Sequence, residues 1–205
     1  MNATESKASA AWRPLALLLV LAASLLVIAF RLMPYGIRGV NFVPAGAMLL
    51  FAGARLRPRF LLPLALISLL ATDLYFYQVK DWPFPFFNYI GYVLYAALGW
   101  GLLARTRNPF GIAGTALVGG TMFFLVTNFG VWIEHVVQPE MFAHQPYQYP
   151  PTFAGLMLCF EMALPFFQGT FASDLLFTGL LFGAYAVLAK AYFPAEYSAA
   201  SEVRS

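Results

Sequence analysis

Uninterrupted apolar runs constrain this chain more than any other feature of it. Leu15 to Phe30 and Gly111 to Ile133 contain no Asp, Glu, Lys or Arg. Runs approaching about 20 residues are long enough to cross a bilayer as a helix. In lipid a helix is also one of the few ways a backbone satisfies its own polar groups. Composition agrees: 61% of the 205 residues are hydrophobic, 10% are charged, and mean hydropathy is +0.72. Soluble domains carry about 25% charged residues. The expected fold is all-α, a polytopic membrane helix bundle of about six transmembrane helices plus a short interfacial or re-entrant helix.

The bundle is expected to occupy residues 14–193, between cytoplasmic polar tails at 1–13 and 194–205, with no room for a soluble domain. Its spans read as Leu15–Phe30, Asn41–Ala54, Phe60–Gln78, Asn88–Ala104, Gly111–Val137 and Thr170–Tyr192. The first ends without a small-x-small cleavage site, so it is read as a retained span. The second is short, at about 21 Å by helical rise, and its small residues, among them Ala45, Gly46, Ala52 and Gly53, suggest a tightly packed face. Thr152–Pro165 is too short to cross and is read as interfacial or re-entrant, with a break at Pro165 and Gly169 before the last span.

Basic residues orient the bundle. Lys7, Arg13, Arg55, Arg57, Arg59, Arg105, Arg107, Lys190 and Arg204 fall on one side, and only Arg31, Arg38 and Lys80 on the other. The positive-inside rule then makes both termini cytoplasmic, in an inner (plasma) membrane. The net charge of +3 is accounted for by these loops, so no nucleic-acid partner is implied. The lone Cys159 excludes an internal disulfide or a cysteine-cluster metal site and reads as a packing residue.

Against this background the costly residues stand out. Asp73, Asn128 and Asp174 lie on three different spans, roughly 8, 12 and 8 Å from their outer ends by helical rise. An ionisable group at such depth faces protein or water rather than lipid. Thr170 and Thr178 share a helical face with Asp174. With Trp132, Phe129 and Tyr77 as apolar walls, these residues suggest an outward site for a small molecule, cationic or heteroaromatic, held by charge pairing and cation–π contact. The blander reading of the aromatics alone is an interfacial belt. Gly179 and Gly183, spaced G-x-x-x-G, fall on the opposite face; internal helix packing is the first expectation for them and a partner subunit the second. Glu134, His135 and His144 match no metal-ligand spacing, and no nucleophile elbow, phosphate loop or metalloprotease motif occurs. No catalytic residue, metal or cofactor is therefore assigned.

Four stretches carry a resemblance: N-F-x-P-x-G-A at Asn41 to Ala47, T-N-F-G-V-W at Thr127 to Trp132, Y-P-x-T-x-x-G-L at Tyr149 to Leu156, and P-F-F-x-x-T-x-x-x-D-L-L-F at Pro165 to Phe177. Together they resemble an uncharacterised bacterial family of small integral membrane proteins. That family in turn looks like the substrate-binding S components of energy-coupling-factor (ECF) transporters, which capture vitamins or metal ions from outside. The chain departs from the family pattern in a long Gln138 to Gln148 insertion and in Phe160, where tyrosine is expected. The resemblance implies a substrate-capture subunit that binds a small micronutrient and relies on energising partner subunits, since no nucleotide-binding motif is present. Two other classes remain open: a membrane-embedded enzyme with Asp73 or Asp174 as general acid or base, and an assembly protein whose carboxylates bridge helices.

Overall fold

The computed structural model describes residues 13–56, 58–104, 106–143 and 148–194, with side chains throughout except at 58–62. Arg57, Arg105, His144 and the two tails, apart from Arg13 and Pro194, lie outside the described residues. The elements are α1 (Pro14–Leu32), α2 (Tyr35–Arg38), α3 (Ala45–Arg55), α4 (Pro58–Lys80), α5 (Phe86–Leu98, continued by a π-helical turn Gly99–Leu103), α6 (Pro109–Val137), a 3-10 turn (Pro139–Phe142) and α7 (Phe153–Tyr192). No strand occurs among the described residues. Among the described residues, four helices are long and apolar enough to cross a membrane: α1, α5 with its π turn, α6 and α7. Large apolar side chains such as Leu25 and Leu180 point outward, as they do where the solvent is lipid.

The shortest apolar helix is the innermost. Gly46 to Arg55 of α3 are all buried, enclosed by α1, α4, α5 and α7. At 11 residues it runs only about 16 Å, so protein rather than lipid surrounds it. In lipid, helices gain little from hiding apolar surface and associate by close packing, which small residues permit. A methyl group at Gly53 would run into the carbonyl of Ala96 on α5, and one at Gly99 into the carbonyl of Leu50 on α3. The glycines thus let the two backbones touch from both sides. Below them Phe51 meets Phe182 and Tyr185 of α7 edge-on, with ring centroids 5.2 and 5.5 Å apart.

Arg55 closes that end of the bundle, and it is buried rather than exposed in a turn. Its guanidinium donates to the carbonyls of Leu103 (3.3 Å), Ala104 (3.2 Å) and Thr106 (3.2 Å). These carbonyls end the α5 helix, where intrahelical donors run out. The same group lies over the Phe182 and Tyr185 rings, and Arg13 donates to the Arg55 carbonyl at 3.1 Å.

One expected boundary is absent. The separate short helix at Thr152–Pro165 and the last span form a single helix, α7, of 40 residues. Thr152 caps it by accepting from the Gly155 amide at 3.1 Å. Pro165 costs one backbone hydrogen bond but does not end the helix, a loss that neighbouring helices make tolerable inside a membrane protein. Gly169 is no break either. The backbone of Val40 and Asn41 crosses directly over it, where any Cβ would strike the Val40 carbonyl.

Candidate functional site

At the end of the bundle opposite Arg55, α1, α3 to α7, the 33–44 segment that contains α2 and the loop at 81–85 enclose a cavity of about 340 Å³. Asp174 of α7 forms part of its floor, at 1% exposure. Its Oδ2 accepts from the Tyr95 hydroxyl of α5. Space for this pair comes from missing side chains: a Cβ at Gly46 would strike both partners, one at Gly119 the Tyr95 ring, and one at Gly120 would sit 3.1 Å from Asp174 Oδ2.

Asp73 of α4 forms another wall, and it is fully engaged. One oxygen pairs with Arg31 of α1 and the other accepts from Tyr89 at 2.9 Å. Arg31 also donates to Tyr92 at 3.1 Å, while its Nε is buried without a partner among the described residues. The mouth is edged by a chain of stacked groups. Arg38 lies over the Tyr35 ring, Tyr35 stacks with Trp82, Trp82 stacks with Phe76, and Arg31 lies over Phe76. Asn128 of α6 also lines the cavity, and its side-chain amide donates one N–H to the Phe124 carbonyl at 2.8 Å.

The residues singled out from sequence divide cleanly. Asp73, Asn128, Thr170 and Asp174 come from three helices and line this one cavity. Trp132, Phe129 and Tyr77 are not among its lining residues. Trp132 holds the entry to α7, donating to the Pro150 carbonyl at 3.0 Å. Phe129 is turned about 100° away from Asn128 by helical geometry and is 41% exposed. Tyr77 is one turn beyond Asp73 and lines a separate hollow with Phe84, Phe86 and Glu134. The walls are built instead from Tyr92, Phe123, Phe124, Phe166 and Phe167.

Internal packing does not account for the glycine pair. A Cβ at Gly179 or Gly183 would meet nothing within 4 Å among the described residues. Burying the Asp174 and Thr178 side of α7 turns the opposite side outward. Thr178 itself is 1% exposed and its hydroxyl has no partner among the described residues.

Tyr95, Arg31 and Arg38 are the functional candidates that sequence reasoning passed over. Tyr95 is one of 11 tyrosines, and only the rule that a buried phenol needs a partner marked it out. Arg31 and Arg38 served as topology markers, yet both line the cavity. His135 stacks on Phe142 and meets Tyr149 at a tilt, with ring centroids at 4.1 and 4.7 Å, and bonds through Nδ1 to the Val131 carbonyl at 2.8 Å. It anchors a loop, and no metal-ligating group of three is found among the described residues. Cys159 is buried, with Sγ 3.4 Å from the Asn128 carbonyl.

The four recognisable stretches acquire distinct jobs from this geometry. Asn41 and Gly46, Thr127 and Asn128, and Thr170 and Asp174 place three of them on the cavity wall. The fourth, around Tyr149 to Leu156, forms the turn into α7: Tyr149 packs on His135, Pro150 receives Trp132, and Gly155 lies against the Pro150 carbonyl. Asn41 also adopts a left-handed backbone, with φ of 55°, a conformation that asparagine tolerates better than most residues.

The model of a family of unknown function, DUF6580, matches residues 11–198. No curated protein and no solved structure matches the chain.

Proposed function

We propose that this chain, which belongs to the DUF6580 family, is the substrate-capture subunit of a transporter. It takes a small micronutrient into the cavity from the outer side of the inner membrane. The observation that carries this reading is the convergence of Asp73, Asn128 and Asp174 from three helices on one cavity with aromatic walls. A concave, largely aromatic site with a few fixed polar groups is the usual form of a small-molecule site. The cavity lies at the end poor in Lys and Arg, so with α1, α3, α4, α5, α6 and α7 as six spans it faces outward and both termini are cytoplasmic. The likeness to ECF S components rests on size, helix number and this outward cavity.

Capture alone moves nothing across a membrane, so the reading requires energising partner subunits. The outward face of α7 at Gly179 and Gly183, open in the isolated chain, is the surface assigned to one. An enzymatic role is less well supported. Each Asp73 oxygen already has a partner, which makes Asp174 with Tyr95 the acid–base pair such a role would use.

Native mass spectrometry of protein purified gently from its membrane tests the reading. Retention of a small molecule, lost from an Asp174→Asn variant that still folds, is the expected result. Protein that retains nothing and leaves uptake unchanged when deleted overturns capture. Chemical conversion of a retained molecule would move the assignment to an enzyme.

A further inference from the structure

The charges that line the cavity are not all cancelled, and the two left over lie at different depths. Asp73 and Arg31 neutralise each other. Arg38 donates from Nε to the Met33 carbonyl at 3.2 Å and from Nη1 to the Gly39 carbonyl at 3.0 Å. Both acceptors are neutral, so its charge has no carboxylate opposite it among the described residues. Asp174 accepts from the Tyr95 hydroxyl, also neutral, and no cation pairs with it among the described residues. Arg38 is at the mouth, two residues before the Val40 backbone that crosses Gly169. Asp174 is five residues further along α7, about 7–8 Å deeper by helical rise. Tyr92 and Phe124 stand one helical turn above the floor, between the two charges.

Resting on the capture reading, we propose that the ligand is amphoteric. It carries a protonated amine that meets Asp174 at the floor, an unsaturated or aromatic middle against the Tyr92 and Phe124 rings, and a carboxylate or comparable oxyanion that meets Arg38 at the mouth. The two ends are not equivalent. A carboxylate buried without a counter-charge is costly, and a ligand amine supplies that charge. Arg38 stays partly solvated, so its contribution to binding is smaller and depends on salt. An amine without an acid should therefore bind weakly, and an acid without an amine hardly at all.

The test uses the purified full-length chain and four probes: para-aminomethylbenzoate, para-aminoethylbenzoate, benzylamine and para-toluate. Binding is followed by calorimetry and by thermal shift. At least one of the two amphoteric probes should bind about tenfold more tightly than benzylamine, the scale of a charge-assisted hydrogen bond, with para-toluate weakest. Arg38→Gln should bring the amphoteric probe down to about the affinity of benzylamine, while Arg38→Lys keeps most of the difference. Benzylamine binding as tightly as either amphoteric probe, or Arg38→Gln leaving their ratio unchanged, overturns the amphoteric assignment and leaves capture standing. The assignment also fails if no probe binds. Native mass spectrometry of the same preparation then shows whether capture fails with it, which it does only if no small molecule is retained.

Discussion

The Tyr95 hydroxyl donates to Asp174 across 79 residues of sequence, from the middle of α5 to the middle of α7. It joins two helices that enclose α3 from different sides, and Gly46 at the start of α3 leaves the gap in which they meet. The cavity floor therefore depends on three helices keeping their spacing, with no ion pair at the contact.

That arrangement separates charge from scaffold. Asp174→Asn keeps an oxygen that can accept from Tyr95, and it leaves no buried cation stranded. Stability should change little, and binding of an amine-bearing ligand should be lost. A drop of many degrees in Tm with binding retained would show that the carboxylate holds the bundle together and does not serve a ligand.

Asp73 should behave in the opposite way. Asp73→Asn leaves the Arg31 guanidinium largely buried without its counter-charge. Breaking one side of a fully buried pair costs about 3–5 kcal/mol, and the 15% exposure of the Arg31 side chain places this case toward the lower end. Replacing both residues with apolar ones, Arg31→Met with Asp73→Leu, should recover part of the lost stability, the remainder going with the hydrogen bonds to Tyr89 and Tyr92. Equal Tm values for the single variant and the parent protein would mean that the pair contributes nothing.

The glycines of α7 supply an internal comparison. Gly169→Ala puts a methyl group into the Val40 carbonyl and should destabilise the protein by about 1–3 kcal/mol, as overpacking does. Gly179→Ala enters open space and should be neutral or slightly stabilising, because alanine favours a helix. Thermal denaturation of the two variants side by side checks the contrast. The same result for both would contradict the placement of the 33–44 loop over α7.

These contrasts mark where sequence reading succeeds and where it stops. Apolar runs and their lengths revealed an all-helical membrane bundle because lipid leaves the backbone few other options. Intramembrane carboxylates and amides pointed to one cavity because such groups must avoid lipid. The rotational setting of each helix was not legible, since helical periodicity fixes which residues share a face but not which neighbour that face meets. Trp132 shows the consequence: one turn from Asn128, it reads as a cavity wall, but its indole donates to the Pro150 carbonyl instead. Gly169 shows another, because a glycine that admits a crossing backbone looks identical in sequence to one that breaks a helix. Arg31 shows a third, because it directly follows an apolar run and reads as a loop residue, while the partner that draws it to the cavity, Asp73, is 42 residues away.

Orientation is tested by chemistry at the two ends. In a Cys159→Ser background, a cysteine at Arg107, near the Arg55 end, should be shielded from a membrane-impermeant thiol reagent in intact cells. One at Gln138, beyond the cavity end of α6, should react. Labelling of the first and protection of the second would turn the cavity toward the cytoplasm and remove the capture reading.

The remaining face of α7 decides whether the chain works alone. Gly179 and Gly183 are exposed, and a Cβ at either meets nothing within 4 Å among the described residues. Lipid rewards close helix contact chiefly through small residues, so an outward G-x-x-x-G pair suits a partner helix better than it suits acyl chains, which pack against leucine equally well. Gly183→Leu separates the possibilities without disturbing the floor, because the two glycines sit about 140–180° around the helix from Asp174. On the capture proposal, the variant should fold, retain its Tm and bind ligand as the parent does, yet lose co-purification with any partner subunit and lose uptake in cells. If uptake and co-purification survive, the face meets only lipid and the partner surface lies elsewhere on the bundle. If Tm and ligand binding fall together, the glycines pack internally and the outward setting of α7 is wrong.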